Sequence, residues 1–287
     1  MTWCAYQVIL RLRSPIHVGH SKVSNLQRTR GYVTGRVLWG ALTMRLTRDA
    51  FPGSGEATDS GQYGKVGKQV HRELAFTYFY PALKSENGYR VAWPWENESA
   101  FRHRFLSSYQ GTALAYPQQS AAEGMLHEVE FISPNTLDTS EPVFLKGYIF
   151  EIEGCTLNWQ SALNRIQLGG ERGYGWGNVG LIEVTRTNSA QLFDEMITFN
   201  GNGEKPVLSL ASQQRLLAHV VTDNLPVAGE IEPLVGREWR SDNAYRRYVG
   251  QHIEFNGLCF APGSILQQSS DFEVGDFGIW RYRRHVA

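Results

Sequence analysis

Apolar and polar positions alternate over residues 4–12, where Tyr6, Val8, Leu10 and Leu12 share one face and Gln7, Arg11 and Arg13 lie off it. A period of two predicts a half-buried β-strand. Pro15, Gly19, Ser21 and Ser24 then mark a loop. From Arg36 to Ala50 the period becomes helical, with Val37, Leu38, Ala41, Leu42 and Leu46 on one side, and Pro52 closes the helix. Residues 53–68 (GSGEATDSGQYGKVGK) are polar and glycine-rich and predict a mobile loop. No clean period runs through 84–125. Alternation returns in LHEVEFI (126–132), and VFLKGYIFEI (143–152) reads as a further strand, with 136–141 as the turn between the two. Trp159, Leu163 and Ile166 mark a short amphipathic helix, and VGLIEV (179–184) is the last strand of the series.

The order is strand, helix, strand, strand, helix, strand. It predicts an α+β, ferredoxin-like (RRM-like) βαββαβ domain over residues 1–186, with an insertion at about 50–125. Many RNA-binding domains share that arrangement. Residues 187–287 carry strand signals at 206–210, 252–260 and 277–282, and are expected to form a second, degenerate ferredoxin-like unit.

Composition narrows the class. The 287 residues are 42% hydrophobic and 12% aromatic, which excludes a disordered or fibrous chain. Cys4, Cys155 and Cys259 are too few for a disulfide framework, and none sits in a Cys-x-x-Cys pair that would suggest structural zinc. The N-terminus lacks a signal-peptide pattern, and no apolar run approaches the ~18 residues of a membrane span. The expectation is a cytoplasmic protein with no membrane partner.

Charge adds an asymmetry. The 28 basic and 28 acidic residues cancel, yet residues 1–48 hold eight cations (Arg11, Arg13, Lys22, Arg28, Arg30, Arg36, Arg45, Arg48) and no acid. Residues 123–153 hold seven acids against Lys146. Twenty-two of the 28 cations are Arg, whose fork pairs with phosphate and whose plane stacks on bases. A basic block in a neutral chain points to a local polyanion site, with ordinary surface pairing as the alternative.

The densest motif is LGGERGYGWGNVG, where Gly169, Gly170, Gly173, Gly175, Gly177 and Gly180 enclose Arg172, Tyr174 and Trp176. Gly175-x-Gly177-x-x-Gly180 formally matches the dinucleotide fingerprint. That fingerprint must follow a strand and open a helix, whereas here a helix precedes and a strand follows. What remains is either a bare backbone that a polyanion can approach, with Arg and aromatic side chains to pair phosphates and stack bases, or a tight structural connection. His17 and His20 lie in the basic loop. Taken as residues alone, they read as RNA-contacting or structural groups. Two histidines do not fix a metal, so no metal or cofactor is expected. The acid pairs Glu128/Glu130 and Glu151/Glu153 each share one strand face, expected to meet solvent or a neighbouring subunit.

Three segments in this order, SPIHVGHS, GYVTGRVLWGALTMRL and LGGERGYGWGNVG, resemble the signatures of the RAMP superfamily of CRISPR-associated effector proteins. Those signatures are a Pro-hydrophobic-x-x-Gly start, a first helix opened by a Tyr and small residues, and a Gly-Gly-x-Arg-x-x-Gly-x-Gly loop before the last strand. The matches fall at 15–19, 32–46 and 169–177. The resemblance implies a crRNA-binding, antiviral-defence subunit of a ribonucleoprotein, similar to the one that caps the 5′ repeat-derived tag in type III (Csm/Cmr-like) effector complexes. GMLHEVEFISPN and EPVFLKGYIF are similar to that subunit's central hairpin. Its implied partners are crRNA, the backbone and large subunits, and target RNA nearby. The implied RNA-binding residues are His17, His20, Lys22, Arg28, Arg30, Arg36, Gly169, Gly170, Arg172, Gly173, Tyr174, Gly175, Trp176 and Gly177, with none catalytic. The alternatives within the family are a pre-crRNA-processing endoribonuclease using His17 or His20, and a backbone subunit. Type III backbone subunits carry a cleaving Asp after the first strand, and residues 14–31 hold no acid. By position, 84–120 is the candidate for a projecting thumb. Outside the family, the alternative is a two-domain binding protein unrelated to CRISPR.

Overall fold

The computed structural model describes residues 1–51, 60–117, 119–223, 225–238 and 252–283. In chain order the first part contains β1 (Trp3–Leu12), the hairpin β2 (Gly19–Val23) and β3 (Leu26–Thr29), α1 (Gly35–Ala50), α2 (Ser60–Glu73), β4 (Leu74–Phe76), β5 (Tyr80–Ser85) and β6 (Gly88–Val91). There follow α3 (Glu98–Phe105), β7 (Leu106–Gly111), the short ladder β8 (Leu114–Ala115) and β9 (Ser120–Ala121), β10 (His127–Ile132), β11 (Phe144–Ile152), α4 (Trp159–Leu163) and β12 (Val179–Arg186). Every strand and helix expected in 1–186 is therefore present, within a few residues of its expected bounds.

Their pairing differs from expectation at one strand. The main sheet runs β12-β1-β11-β5-β6, with β4 also on β11. β10 is absent from it and lies in a separate four-stranded sheet, β2-β3-β10-β7. The strands 126–132 and 143–152 thus do not form a hairpin. Both edges of β11 are already occupied, by β1 on one side and by β4 and β5 on the other. The loop between β10 and β11 closes on itself instead, through Thr136 N–H to the Glu141 carbonyl (2.9 Å) and Val143 N–H to the Pro134 carbonyl (3.0 Å).

The expected mobile loop is also corrected. Its residues 53–59 lie outside the described residues, but 60–68 are helical. Glycine in a helix costs up to ~1 kcal/mol, and tertiary packing overrides it here. Gly67 is buried against Trp39 of α1, where a Cβ would stand 2.6 Å from the indole, and the Trp39 indole N–H donates to the Gly67 carbonyl at 3.0 Å. Val70 is buried in the same core.

β1 is buried on both faces rather than one. Val8, Leu10 and Leu12 pack under α1 (Leu38, Ala41, Leu42) and α4 (Trp159, Ala162, Leu163). Trp3 and Ala5, with Tyr148 and Phe150 of β11, pack against Phe193, Leu208 and Trp280 of the C-terminal part. That part supplies an eight-stranded sheet formed by β13 (Gln191–Leu192), β14 (Ile197–Asn200), β15 (Val207–Leu210), β16 (Val220–Val221), β18 (Ile231–Glu238), β19 (His252–Phe260), β21 (Ser270–Val274) and β22 (Trp280–Tyr282). A small ladder joins β17 (Val227–Ala228) to β20 (Ile265–Leu266). The three strand signals read after 187 correspond to β15, β19 and β22. Among the described residues, 187–283 holds one 3-10 turn and no α-helix. The second core cluster draws residues from both sides of position 186.

No helix among the described residues is long and apolar enough to cross a membrane.

Candidate nucleic-acid interface

The glycine loop clasps the segment after β1. Gly170 N–H donates to the His17 carbonyl (2.8 Å), Gly177 N–H to the Pro15 carbonyl (2.7 Å), and Asn178 N–H to the Ser14 hydroxyl (2.8 Å). Gly169 and Gly177 both have φ above +80°, and a Cβ would stand 2.3 Å from the His17 carbonyl oxygen and 2.2 Å from that of Leu168 respectively. These glycines are needed because main chain meets main chain. Gly173 and Gly175 differ, since nothing lies within 4 Å of where their Cβ would be. They flank Tyr174, which is 79% exposed, at the loop tip. Arg172 reaches the Met44 sulfur of α1 at 3.3 Å. The loop after β1, the first helix and the glycine loop, far apart in sequence, are therefore one neighbourhood. Within it the glycines divide into a structural set and an open tip.

The two histidines also separate. His17 is 7% exposed, and its Nδ1 lies 2.7 Å from the Glu130 carbonyl, so that nitrogen carries the proton and donates. His20 is partly exposed, 3.8 Å from Glu232. Burial and the neighbouring Arg30 lower its pKa, with Glu232 opposing. A further histidine, His219, stands isolated in the sequence and carries no motif there, yet it is fully buried between the Tyr78 hydroxyl (2.7 Å) and Glu232 (2.6 Å).

Arg30 and Arg36, expected to meet phosphates, face carboxylates of this chain. Arg30 forks onto both oxygens of Glu232 at 2.9 and 2.7 Å. Arg36 donates to Glu238 at 3.1 Å, lies 3.8 Å from Glu254 and covers the Phe277 ring at 4.3 Å. Gly236 makes room for it, since a Cβ there would overlap the guanidinium. Burial works to raise the Glu232 pKa, but hydrogen bonds from His219 and Arg30 outweigh it and hold the carboxyl far below the usual range. The β18–β19 hairpin thus neutralises part of the basic block. Glu232 and Glu238 stand near the two ends of β18, and nothing local in IEPLVGRE says which cations they meet. A cleft of about 470 Å³ remains between this hairpin and the α1 start, lined among others by His20, Arg30, Arg36 and Glu232.

Other cations of the block are engaged differently. Arg11 donates to the Pro134 and Val143 carbonyls and to Asn135, and Arg45 pairs with Asp49. Lys22 on the β2 hairpin is exposed and Arg28 beside it half-buried. The acidic stretch 123–153 is largely paired within the chain: Glu130 with Arg102 and the Thr29 N–H, Asp138 and Glu141 with Arg104, Glu151 with Tyr6 and Trp159. The sequence pattern points these acids at solvent or a partner. Local partners on α3 account for three of them instead.

Among the described residues no group of three His, Cys, Asp or Glu side chains could hold a metal ion. Burial pushes the Cys155 and Cys259 thiols up to about 11, away from nucleophilic use.

No family model matches the chain, and no curated protein matches it. Among solved structures it is similar to a chain in a cryo-EM structure of the Type III-B Cmr-beta bound to cognate target RNA and AMPPnP. The TM-score there is 0.47 and the identity 11%, over 91% of this chain and 85% of that one. A second match is to the same complex bound to cognate target RNA, with TM-score 0.46, 11% identity, and coverage of 91% and 86%.

Proposed function

We propose that this chain is a crRNA-binding subunit of a type III CRISPR effector, holding the 5′ repeat-derived tag without cleaving it. The observation that carries the reading is the clasp of Gly170 and Gly177 onto the His17 and Pro15 carbonyls, with Arg172 on Met44. It joins in space the three segments that resemble the RAMP signatures, and leaves Arg172, Gly173, Tyr174 and Gly175 outward as the RNA-facing tip. In the same reading the main sheet is a ferredoxin-like unit whose second strand is β4–β5, so that connectivity βαββαβ holds with α1 and α4 on one face. The partners are crRNA, backbone and large subunits, and target RNA nearby. Burial of His17, with Nδ1 committed to Glu130, supports a structural role for it.

The test is binding and cleavage of labelled repeat RNA by the purified chain in EDTA. The expected result is binding without cleavage. Site-specific cleavage lost on His20→Ala or His17→Ala would establish the processing endoribonuclease instead. Absence of binding to tag RNA at low salt would remove the RNA reading altogether.

A further inference from the structure

The four-stranded sheet has two chemically opposite faces. Register places Lys22 opposite Gln27, Gln27 opposite Val129, and Val129 opposite Tyr109. Directly opposed residues project from the same side of a sheet, so Lys22, Gln27, Val129 and Tyr109 form one row across β2, β3, β10 and β7. Two residues along β10, Phe131 projects from that side too. Both strand acids of β10, Glu128 and Glu130, alternate to the opposite side, where Glu130 meets Arg102 of α3. In these four strands the Tyr109 face therefore holds a cation and no carboxylate.

On this face lies the aromatic side chain of the glycine loop. Trp176 packs edge-to-face against Phe131, with centroids 5.0 Å apart, and against Tyr109 at 6.4 Å. Trp176 and Phe131 are partly covered, but Tyr109 is 64% exposed. A tyrosine held at one edge by a tryptophan and open on the other side is a preformed stacking surface, and Lys22 in the same row supplies positive charge. Bases stack on such rings irrespective of sequence, while the cation meets the backbone. Along the row Lys22, Gln27, Val129 and Tyr109, an acidic peptide would meet the ammonium but leave the phenol ring uncovered, whereas a nucleotide strand supplies both a phosphate and a base.

We propose that the Tyr109 face of this sheet is a single-stranded RNA platform, in which Tyr109, positioned by Trp176, stacks a base and Lys22 contacts backbone phosphate. This deepens the RNA-binding reading, on which it rests, by extending the RNA path from the glycine loop onto the insertion-borne strand β7.

Fluorescein-labelled oligouridine and oligoadenosine, and a bromouridine-substituted oligonucleotide for photo-cross-linking, test it with the full chain. Tyr109→Ala is expected to weaken both oligonucleotides roughly tenfold or more, with an unchanged melting temperature because the side chain is exposed. Tyr109→Phe is expected to bind as wild type, and the cross-link to map to Tyr109 or Trp176. If wild type binds while Tyr109→Ala binds equally well, the platform is overturned and the functional reading stands. If wild type binds neither oligonucleotide, the platform is overturned, while the functional reading is decided separately by binding to tag RNA.

Discussion

Arg30 and Glu232, 202 positions apart, meet fork to fork, with two N–H···O bonds of 2.9 and 2.7 Å. The Arg30 side chain is 11% exposed and that of Glu232 20%. Breaking a buried pair by removing one partner strands the other charge, at a cost of about 3–5 kcal/mol. Glu232→Ala is therefore expected to lower the melting temperature sharply. Arg30→Met combined with Glu232→Leu should recover part of the loss, because no charge is left buried. Equal melting of Glu232→Ala and wild type would mean that the fork contributes nothing.

The same pairing redistributes the expected RNA contacts. Arg30→Ala and Arg36→Ala should reduce stability more than RNA affinity, since Glu232 and Glu238 already hold those side chains. Lys22→Ala, Arg28→Ala and Arg172→Ala should do the reverse. Removing one phosphate-binding cation reduces the slope of log K against log salt by about 0.7 on a single strand. Titrations at several salt concentrations, with melting curves on the same variants, separate the two groups.

The glycine loop yields an internal contrast. Gly177→Ala places a methyl 2.2 Å from the Leu168 carbonyl oxygen at a φ of +82°, so the clasp must open and the melting temperature should fall. Gly173→Ala meets nothing within 4 Å and should leave the fold unchanged while reducing tag-RNA affinity. Gly175→Ala has the same open space but a φ of +81°, which adds roughly 1 kcal/mol of backbone strain. If all three variants bind tag RNA normally whenever folded, the loop is only a structural connection.

Half-buried His71 and fully buried His219 set the acid side of the stability profile. His71 stacks on Trp39 at 5.0 Å, and burial pushes its pKa down to about 4 although Asp276 opposes this; burial lowers His219 as well. In the unfolded chain both protonate near the ordinary ~6.5. Between that value and the lower folded one the unfolded state binds more protons, so stability falls as pH falls. From pH 7 to 5, His71 alone should cost about 2 kcal/mol. Glu232, whose folded pKa is also depressed, adds to the loss below ~4.5. Melting of His71→Phe should depend less on pH over 7 to 5 than that of wild type, and identical slopes would contradict the account.

What the chain encodes locally was legible in the sequence. A period of two located β1 and β10, a helical period located α1, and both signals arise from single elements choosing which face to bury. The glycines read either as a backbone open to a polyanion or as a tight connection, and at Gly169 and Gly177 the main chain of this protein lies against itself. Where several glycines interrupted the pattern, as in 60–68, the local signal pointed to a loop, because the apolar surface of Trp39 that holds α2 in place is contributed by another segment.

Tertiary structure decided the rest. Which strand takes the place beside β11 depends on competition for its two edges, and β4–β5 holds that place although only β10 reads as a strand in the sequence. Whether β1 is covered on one face or two depends on a C-terminal sheet that begins 179 residues later. Which cations are free for RNA depends on where Glu232 and Glu238 fold back. Charge counted along the chain has no distance in it, whereas a salt bridge exists only at contact, so an eight-cation block could be read from the sequence and its neutralisation by a distant hairpin could not.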